Sequence, residues 1–202
     1  MSRILGCREL VNEMGRIKFG HDHAVVMRTA RLVLGSSVIR VYNKGSKEPM
    51  LEVLCTFPVE QLRRVRSWRA FKRLYERQLA RVLRVVSRTN RGRNRLGEGI
   101  KWGHCAKVLS IFMRDLVLRS RLFTDEEVRR LAPMLCVPFD SIVFSRLRGT
   151  CGVRDAPRKL RQLSSGRVFW KLQGRLRDAA GTVGTWAVNF DDVWAEPRKT
   201  EH

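Results

Sequence analysis

The stretch GHCAKVLSIF, residues 103–112, places one basic residue, Lys107, among small and apolar residues. Its apolar positions do not keep to one helical face, which predicts a helix of about 103–118 that is buried on almost all sides. The later stretch VPFDSIVF, residues 137–144, places Asp140 or Ser141 at the N-cap of a second helix, about 140–147. We therefore expect residues 97–147 to organise the fold, with these two helices at its centre.

Composition points to a folded, strongly basic protein. The chain has 202 residues, of which 44% are hydrophobic, so it can bury a core as one domain spanning 1–202. Basic residues outnumber acidic ones 41 to 19, for a formal charge of +22. Such an excess is typical of a nucleic-acid partner. An anionic membrane surface and a ribosome-associated protein without a catalytic role are the alternatives.

Several classes of functional site are excluded because the chain lacks their sequence motifs. The five cysteines are scattered with no C-x-x-C pair, which argues against zinc ribbons and iron–sulfur clusters. P-loop, dinucleotide, H-E-x-x-H and G-x-S-x-G motifs are absent. His21 and His23 flank one residue, and no third ligand is near in sequence. We therefore expect neither a metal nor a cofactor, and no segment is apolar enough to span a membrane.

Periodicity and turn signals predict a mainly α fold with one small β-hairpin. We expect helices over 4–18 and 24–34, separated by a break at 20–23, and a long basic helix over 58–87. Residues 37–56 resemble two short strands around a turn, and a helix that ends at Gly45 is the alternative. The residues from Thr124 to Glu127 form a capping box that starts a further helix. A last helix is predicted over 166–180, and 183–190 is expected to be a short strand or an irregular segment.

An arginine-rich run lies directly before the central stretch. Residues 88–95 include Arg91, Arg93 and Arg95 and hold few apolar side chains. Arginine suits contact with phosphates because its planar guanidinium donates several hydrogen bonds. The alternatives are a loop without a role and, for the basic helix before it, a merely solvated face.

Lys107 and Asp140 are the strongest candidates for chemistry. Removal from water favours the neutral form of a lysine amine, which is a nucleophile able to form a Schiff base. Backbone N–H groups at a helix start favour the anionic form of an aspartate, which can activate a nucleophile or stabilise a sugar cation. The structural alternative is a lysine that extends to solvent beside an ordinary helix cap.

The pattern around these two residues resembles the helix–hairpin–helix DNA glycosylases. In that superfamily a glycine hairpin precedes a helix with the catalytic lysine, and a later V-P-x-D motif supplies the catalytic aspartate. Lys107 matches the lysine and Asp140 the aspartate, with a long connection similar to that of the archaeal-type 8-oxoguanine glycosylases. The hairpin matches less well, because residues 96–99 read LGEG without the usual proline and Gly103 lies four residues before Lys107.

The resemblance implies a two-lobed helical fold and a monomer that removes a modified base from double-stranded DNA. The base would be 8-oxoguanine in repair or glucosylated hydroxymethylcytosine in defence against phage, with strand cleavage after Schiff-base formation. The protein would act on DNA in the cytoplasm, at the nucleoid. Its hairpin residues Gly97, Gly99, Lys101 and Gly103 would contact DNA phosphates together with the three arginines, while Trp102 and His104 would line the base pocket or pack the hairpin.

Overall fold

The computed structural model describes residues 7–43, 45–89, 102–190 and 194, and within these ranges the protein is built from helices. The α-helices are α1 (Cys7–Gly35), α2 (Lys47–Cys55), α3 (Val59–Arg63), α4 (Trp68–Thr89), α5 (Trp102–Leu118), α6 (Asp125–Leu131), α7 (Ser141–Gly149) and α8 (Gly166–Thr182). Short 3₁₀ turns cover Ser37–Val41, Ala132–Met134 and Leu160–Gln162. The prediction of a mainly α fold is confirmed. The two-lobed glycosylase arrangement stays a prediction.

Helix α5 lies at the centre of the fold. Twelve of its 17 residues are buried, so the helix needs neighbours on most of its circumference. It packs against α1, α4 and α6 and against the 3₁₀ turns Ala132–Met134 and Leu160–Gln162. The near-continuous apolar sequence therefore predicted its position correctly.

Helices α4 and α8 hold α5 through an aromatic cluster. The Tyr75 hydroxyl of α4 donates to the Ala106 carbonyl at 2.9 Å and lies 2.8 Å from the Ser110 hydroxyl. The Tyr75 ring stacks on Phe169 of α8, with the ring centroids 5.5 Å apart. Phe169 also meets the Phe139 ring edge to face at 5.5 Å. The cluster thereby connects α4, α5 and α8 to the segment that precedes α7.

The predicted β-hairpin over 37–56 is wrong. The segment forms the 3₁₀ turn Ser37–Val41 and then helix α2, and the described residues contain no strand. Burial gives the reason, because Met50 and Leu54 are both buried and stand four residues apart, which places them on one helical face. The branched residues that favour a strand are only partly buried here.

The predicted break at 20–23 is also wrong, because α1 continues through it. His21 and His23 therefore stand on one helix two residues apart, where side chains point in different directions. Asp22 does not cap a helix. Its carboxylate accepts from Arg63 of α3 at 2.7 Å instead.

The basic region 58–87 is two helices instead of one. Helix α3 ends at Arg63 and α4 starts at Trp68. Arg130 of α6 reaches this gap and donates to the Arg63 carbonyl at 2.9 Å and to the Val65 carbonyl at 3.1 Å. A side chain from elsewhere in the sequence thus satisfies carbonyls that a continuous helix would have used.

The remaining helices follow their sequence signals. The Thr124 hydroxyl accepts from the Glu127 amide at 3.3 Å, and the Thr124 amide donates to the Glu127 carboxylate at 2.9 Å, which confirms the capping box. Helices α7 and α8 match the predicted ranges closely, residues 183–188 are irregular, and residues 189–190 are helical. Among the described residues, no helix has the length and apolar character that crossing a membrane requires.

Candidate active site

Lys107 and Asp140 meet in the structure. The Lys107 Nζ lies 3.3 Å from the Asp140 Oδ2, so the two side chains form an ion pair between α5 and the start of α7. Their side chains are 23% and 30% exposed, which leaves both reachable from solvent. Lys107 is therefore not the fully enclosed amine that the apolar sequence around it suggested. The carboxylate opposite compensates its charge.

Asp140 is held in place by the helix that it caps. Its Oδ1 accepts from the Val143 amide at 3.0 Å, and its backbone is extended, as expected for an N-cap. One carboxylate oxygen therefore serves the helix start, and the other faces Lys107. This division of the two oxygens fixes the direction in which the carboxylate points.

The segment before Asp140 is pinned to α8 by one glutamine. The Val137 amide donates to Gln173 Oε1 at 3.0 Å, and Gln173 Nε2 donates to the Val137 carbonyl at 2.8 Å. Gln173 is 2% exposed, so both bonds are shielded from water. Because the backbone amide and carbonyl of Val137 are both hydrogen-bonded to Gln173, the segment that leads into α7 is held against α8.

The start of α5 is pinned by close backbone contact. The Gly103 amide donates to the Leu163 carbonyl at 2.9 Å. A Cβ on Gly103 would lie 2.7 Å from the Leu160 carbonyl oxygen and 2.8 Å from the Leu163 Cβ, so only glycine fits this contact. The Gly103 amide therefore already donates to a carbonyl of the protein. The sequence interpretation had instead expected it to contact a DNA phosphate.

A cavity of about 310 Å³ opens beside the ion pair. Lys107, Asp140 and His104 line it together with Val38 and Val41 of the 3₁₀ turn Ser37–Val41. The volume is near the lower end of the range for small-molecule sites, which suits one compact ring system. Apolar and polar groups are combined in its wall, as recognition of a flat heterocycle requires.

Two basic residues that the sequence interpretation missed complete this cavity. Arg158 and Lys159 line it beside Ser141 and Leu160. Their backbone amides donate to the Gln162 side-chain oxygen at 2.7 Å and 2.9 Å, which shapes the turn that carries them. No motif marks these residues. In the sequence, the only sign of them is that two basic residues directly follow Pro157.

Trp102 and His104 have different surroundings. His104 is buried and lines the cavity. Trp102 packs edge to face on Phe169, with the ring centroids 5.0 Å apart, and it is not among the residues around the cavity. The structure thus brings His104 to the ion pair and gives Trp102 a contact with α8.

The remaining predicted DNA contacts lie outside the described residues. These are Arg91, Arg93, Arg95, Gly97, Gly99 and Lys101. Comparison with protein-family models, with curated proteins and with solved structures found no match. The site is therefore interpreted from its own geometry.

Proposed function

We propose that the protein is a DNA glycosylase that removes a modified base from double-stranded DNA. The observation that carries the proposal is the 3.3 Å approach of the Lys107 Nζ to the Asp140 Oδ2 at the edge of a cavity of about 310 Å³. A nucleophile beside an anion is the arrangement that covalent removal of a base requires. The order of the motifs, with the lysine helix before V-P-F-D, supports the same reaction.

The reaction starts with an extrahelical nucleotide whose base occupies the cavity. Transfer of one proton from the Lys107 ammonium to the Asp140 carboxylate leaves a neutral amine. The nitrogen lone pair attacks C1′ of the deoxyribose, and the bond between C1′ and the base breaks with its electron pair leaving on the base. The new secondary ammonium gives a proton to the departing base. The nitrogen lone pair then forms a C=N bond to C1′ as the C1′–O4′ bond breaks, and O4′ takes the proton held by Asp140, which leaves a Schiff base between Lys107 and C1′ and restores the carboxylate.

Asp140 has a second task before the new bond is complete. Before Asp140 takes up the proton of Lys107, positive charge develops on the sugar as the bond between C1′ and the base lengthens, and the ionised carboxylate nearby lowers the energy of that state. The cap to Val143 holds the carboxylate in position, so little reorganisation is needed. Arg158 and Lys159 line the same cavity, and their positive charge would suit the phosphates that flank the extrahelical nucleotide.

The substrate within this class is 8-oxoguanine or a larger modified cytosine. A panel of duplexes that carry 8-oxoguanine, other damaged bases or glucosylated hydroxymethylcytosine separates repair from phage defence. Release of one base well above the others identifies the role.

Borohydride trapping on DNA with an abasic site tests the chemistry. Reduction of the Schiff base leaves the protein covalently joined to DNA, and Lys107→Gln should abolish the adduct. Lys171→Gln is the matched control, because Lys171 also pairs with an aspartate, Asp155, at 2.7 Å. This variant should trap DNA as well as the natural chain does.

The competing function is a basic nucleic-acid-binding protein without catalysis. The observation in its favour is that Lys107 and Asp140 satisfy each other as an ion pair, as two structural residues also would. DNA binding without an adduct, and without base release from any duplex of the panel, would overturn the glycosylase proposal. Thermal melting of Lys107→Gln checks that a lost adduct does not reflect a lost fold.

A further inference from the structure

Helix α4 carries a stripe of arginines along its solvent face. We define this arginine stripe by its exposed members Arg69, Arg73, Arg77, Arg84 and Arg88. At 3.6 residues per turn the five positions fall within about 100° of the helix circumference, and they extend over about 28 Å at 1.5 Å per residue. The small exposed residues Ala80 and Ser87 lie between them. The result is a strip of positive charge along the helix.

The charge of the stripe is not neutralised within the described part of the chain. Arg69, Arg73, Arg84 and Arg88 form no salt bridge with any residue in the described ranges. Helix α4 has one acidic residue, Glu76, which Lys72 approaches at 4.0 Å and to which the Trp170 indole donates at 2.7 Å. A stripe that served only helix stability would be expected to contain Glu–Arg pairs four residues apart.

The stripe and the cavity lie on different faces of the protein. The buried side of α4 contacts α5 through Tyr75, whose hydroxyl donates to the Ala106 carbonyl. Tyr75 stands roughly opposite the stripe on the helix circumference. The stripe therefore points away from α5, whereas the cavity lies between α5, the start of α7 and the turn at Arg158 and Lys159.

A groove beside the stripe enlarges the basic surface. It has a volume of about 740 Å³ and runs between α3 and α4, where three arginines and one acidic residue line it: Arg64, Arg73, Arg77 and Glu76. The Arg77 guanidinium donates to the Gln61 side chain at 3.2 Å, which holds its charge at the groove. The basic surface thus continues from α4 onto α3.

We propose that the arginine stripe of α4 is a second binding surface for double-stranded DNA, separate from the cavity at Lys107. Its ligand is the sugar–phosphate backbone, because exposed arginines spaced one or two turns apart along the helix offer repeated positive charge. A B-form duplex fits better than an RNA duplex, since its major groove is about 12 Å wide and admits a helix, while that of A-form RNA is narrow and deep. The surface binds DNA whether or not Lys107 and Asp140 are catalytic.

Salt dependence of binding tests this surface. Each phosphate contact contributes about −0.9 to the slope of log affinity against log salt concentration. In the triple variant Arg73→Gln, Arg84→Gln, Arg88→Gln, the slope for a short unmodified duplex should become less steep by about 2.7. Fluorescence anisotropy over a salt series measures it.

The control variant removes the same charge elsewhere. Arg28→Gln, Arg31→Gln and Arg129→Gln replace three exposed arginines on α1 and α6, and the slope should change by less than about 1. Replacing the three stripe residues by lysine keeps the charge and should keep the slope. Melting temperatures of all variants identify any that fail to fold. If the triple glutamine variant does, the single variants Arg73→Gln, Arg84→Gln and Arg88→Gln, each expected to make the slope less steep by about 0.9, decide the result.

The outcomes separate this proposal from the glycosylase proposal. Equal slope changes in the stripe and control variants would show that net charge alone matters and would overturn the second surface. Equal or tighter binding of an RNA duplex of the same sequence would overturn its assignment to DNA. Lys107→Gln should keep the salt dependence of binding that the natural chain shows. Loss of the covalent adduct therefore tests the glycosylase proposal, and a change in the salt slope tests the arginine stripe.

Discussion

Replacing Asp140 by asparagine or by alanine should separate its role in folding from its role in chemistry. Asparagine keeps a side-chain oxygen for the Val143 amide, which Asp140 now binds at 3.0 Å. Alanine removes both the cap and the charge. The two variants therefore differ in the cap alone and share the loss of the carboxylate.

The expected changes in stability follow from these contacts. Both variants lose the ion pair with Lys107, which is worth about 0–1 kcal/mol because both side chains are partly exposed. Alanine also loses the helix cap, at typically about 1 kcal/mol. For a chain of this size, that cap corresponds to a melting temperature about 2–4 °C below that of the asparagine variant. Differential scanning calorimetry measures the difference.

Activity should respond differently from stability. An activating carboxylate contributes about 10²–10⁴-fold to a rate, so both variants should slow base release by that factor. Asp155→Asn is the control, because Asp155 is an exposed aspartate that pairs with Lys171, and neither residue lines the cavity. It should leave base release unchanged.

Two results would refute the reasoning on Asp140. Equal melting temperatures for the asparagine and alanine variants would show that the Val143 contact contributes nothing to stability. Base release within about tenfold of the natural rate in either variant would show that the carboxylate does not take part in the reaction.

Two further predictions concern buried groups. Gln173→Leu should lower the free energy of unfolding by about 2–5 kcal/mol in urea titrations, because it leaves the buried amide and carbonyl of Val137 without partners; a loss below about 1 kcal/mol would contradict this. Burial raises the pKa of Cys105 from 9.0 to about 12 and raises the pKa of Cys136 as well. Since the folded state holds these protons more tightly, their contribution to stability is full below about pH 9 and is lost as the pH rises toward 12. Alkylation at pH 8 followed by mass spectrometry should spare both thiols until the protein is denatured, and rapid labelling of the native protein would disprove their burial.

Local signals in the sequence predicted the helices that surround the candidate site. The apolar run of α5, the capping box at Thr124 and the V-P-F-D start of α7 each act within a few residues, so the sequence alone reveals them. The pairing of Lys107 with Asp140 needed more than these signals. The two residues were the candidates left once other motifs were excluded, and the resemblance of their order to a known family supported their pairing.

The errors arise where distant side chains decide the local structure. Arg63 holds Asp22, so α1 continues through a sequence that looks like a break. Arg130 supplies donors to the gap between α3 and α4, so one predicted helix becomes two. Sequence periodicity contains no information about such partners.

The basic wall of the cavity was missed for the same reason. Arg158 and Lys159 approach the ion pair because Leu163 contacts Gly103 through its backbone and side chain. A glycine forced by close packing looks, in the sequence, like a glycine of a phosphate-binding hairpin. Only the neighbours of Gly103 distinguish the two.

The attachment of Val137 to Gln173 sets the time at which the site forms during synthesis. Lys107 leaves the ribosome about 66 residues before Gln173, which at roughly 5–20 residues per second is about 3–13 s. During that interval Lys107 has been synthesised, but Gln173, which holds the segment before Asp140, has not. The nascent chain therefore gains its proposed reactive pair only after Gln173 has been synthesised, when the arginine stripe of α4 has already formed.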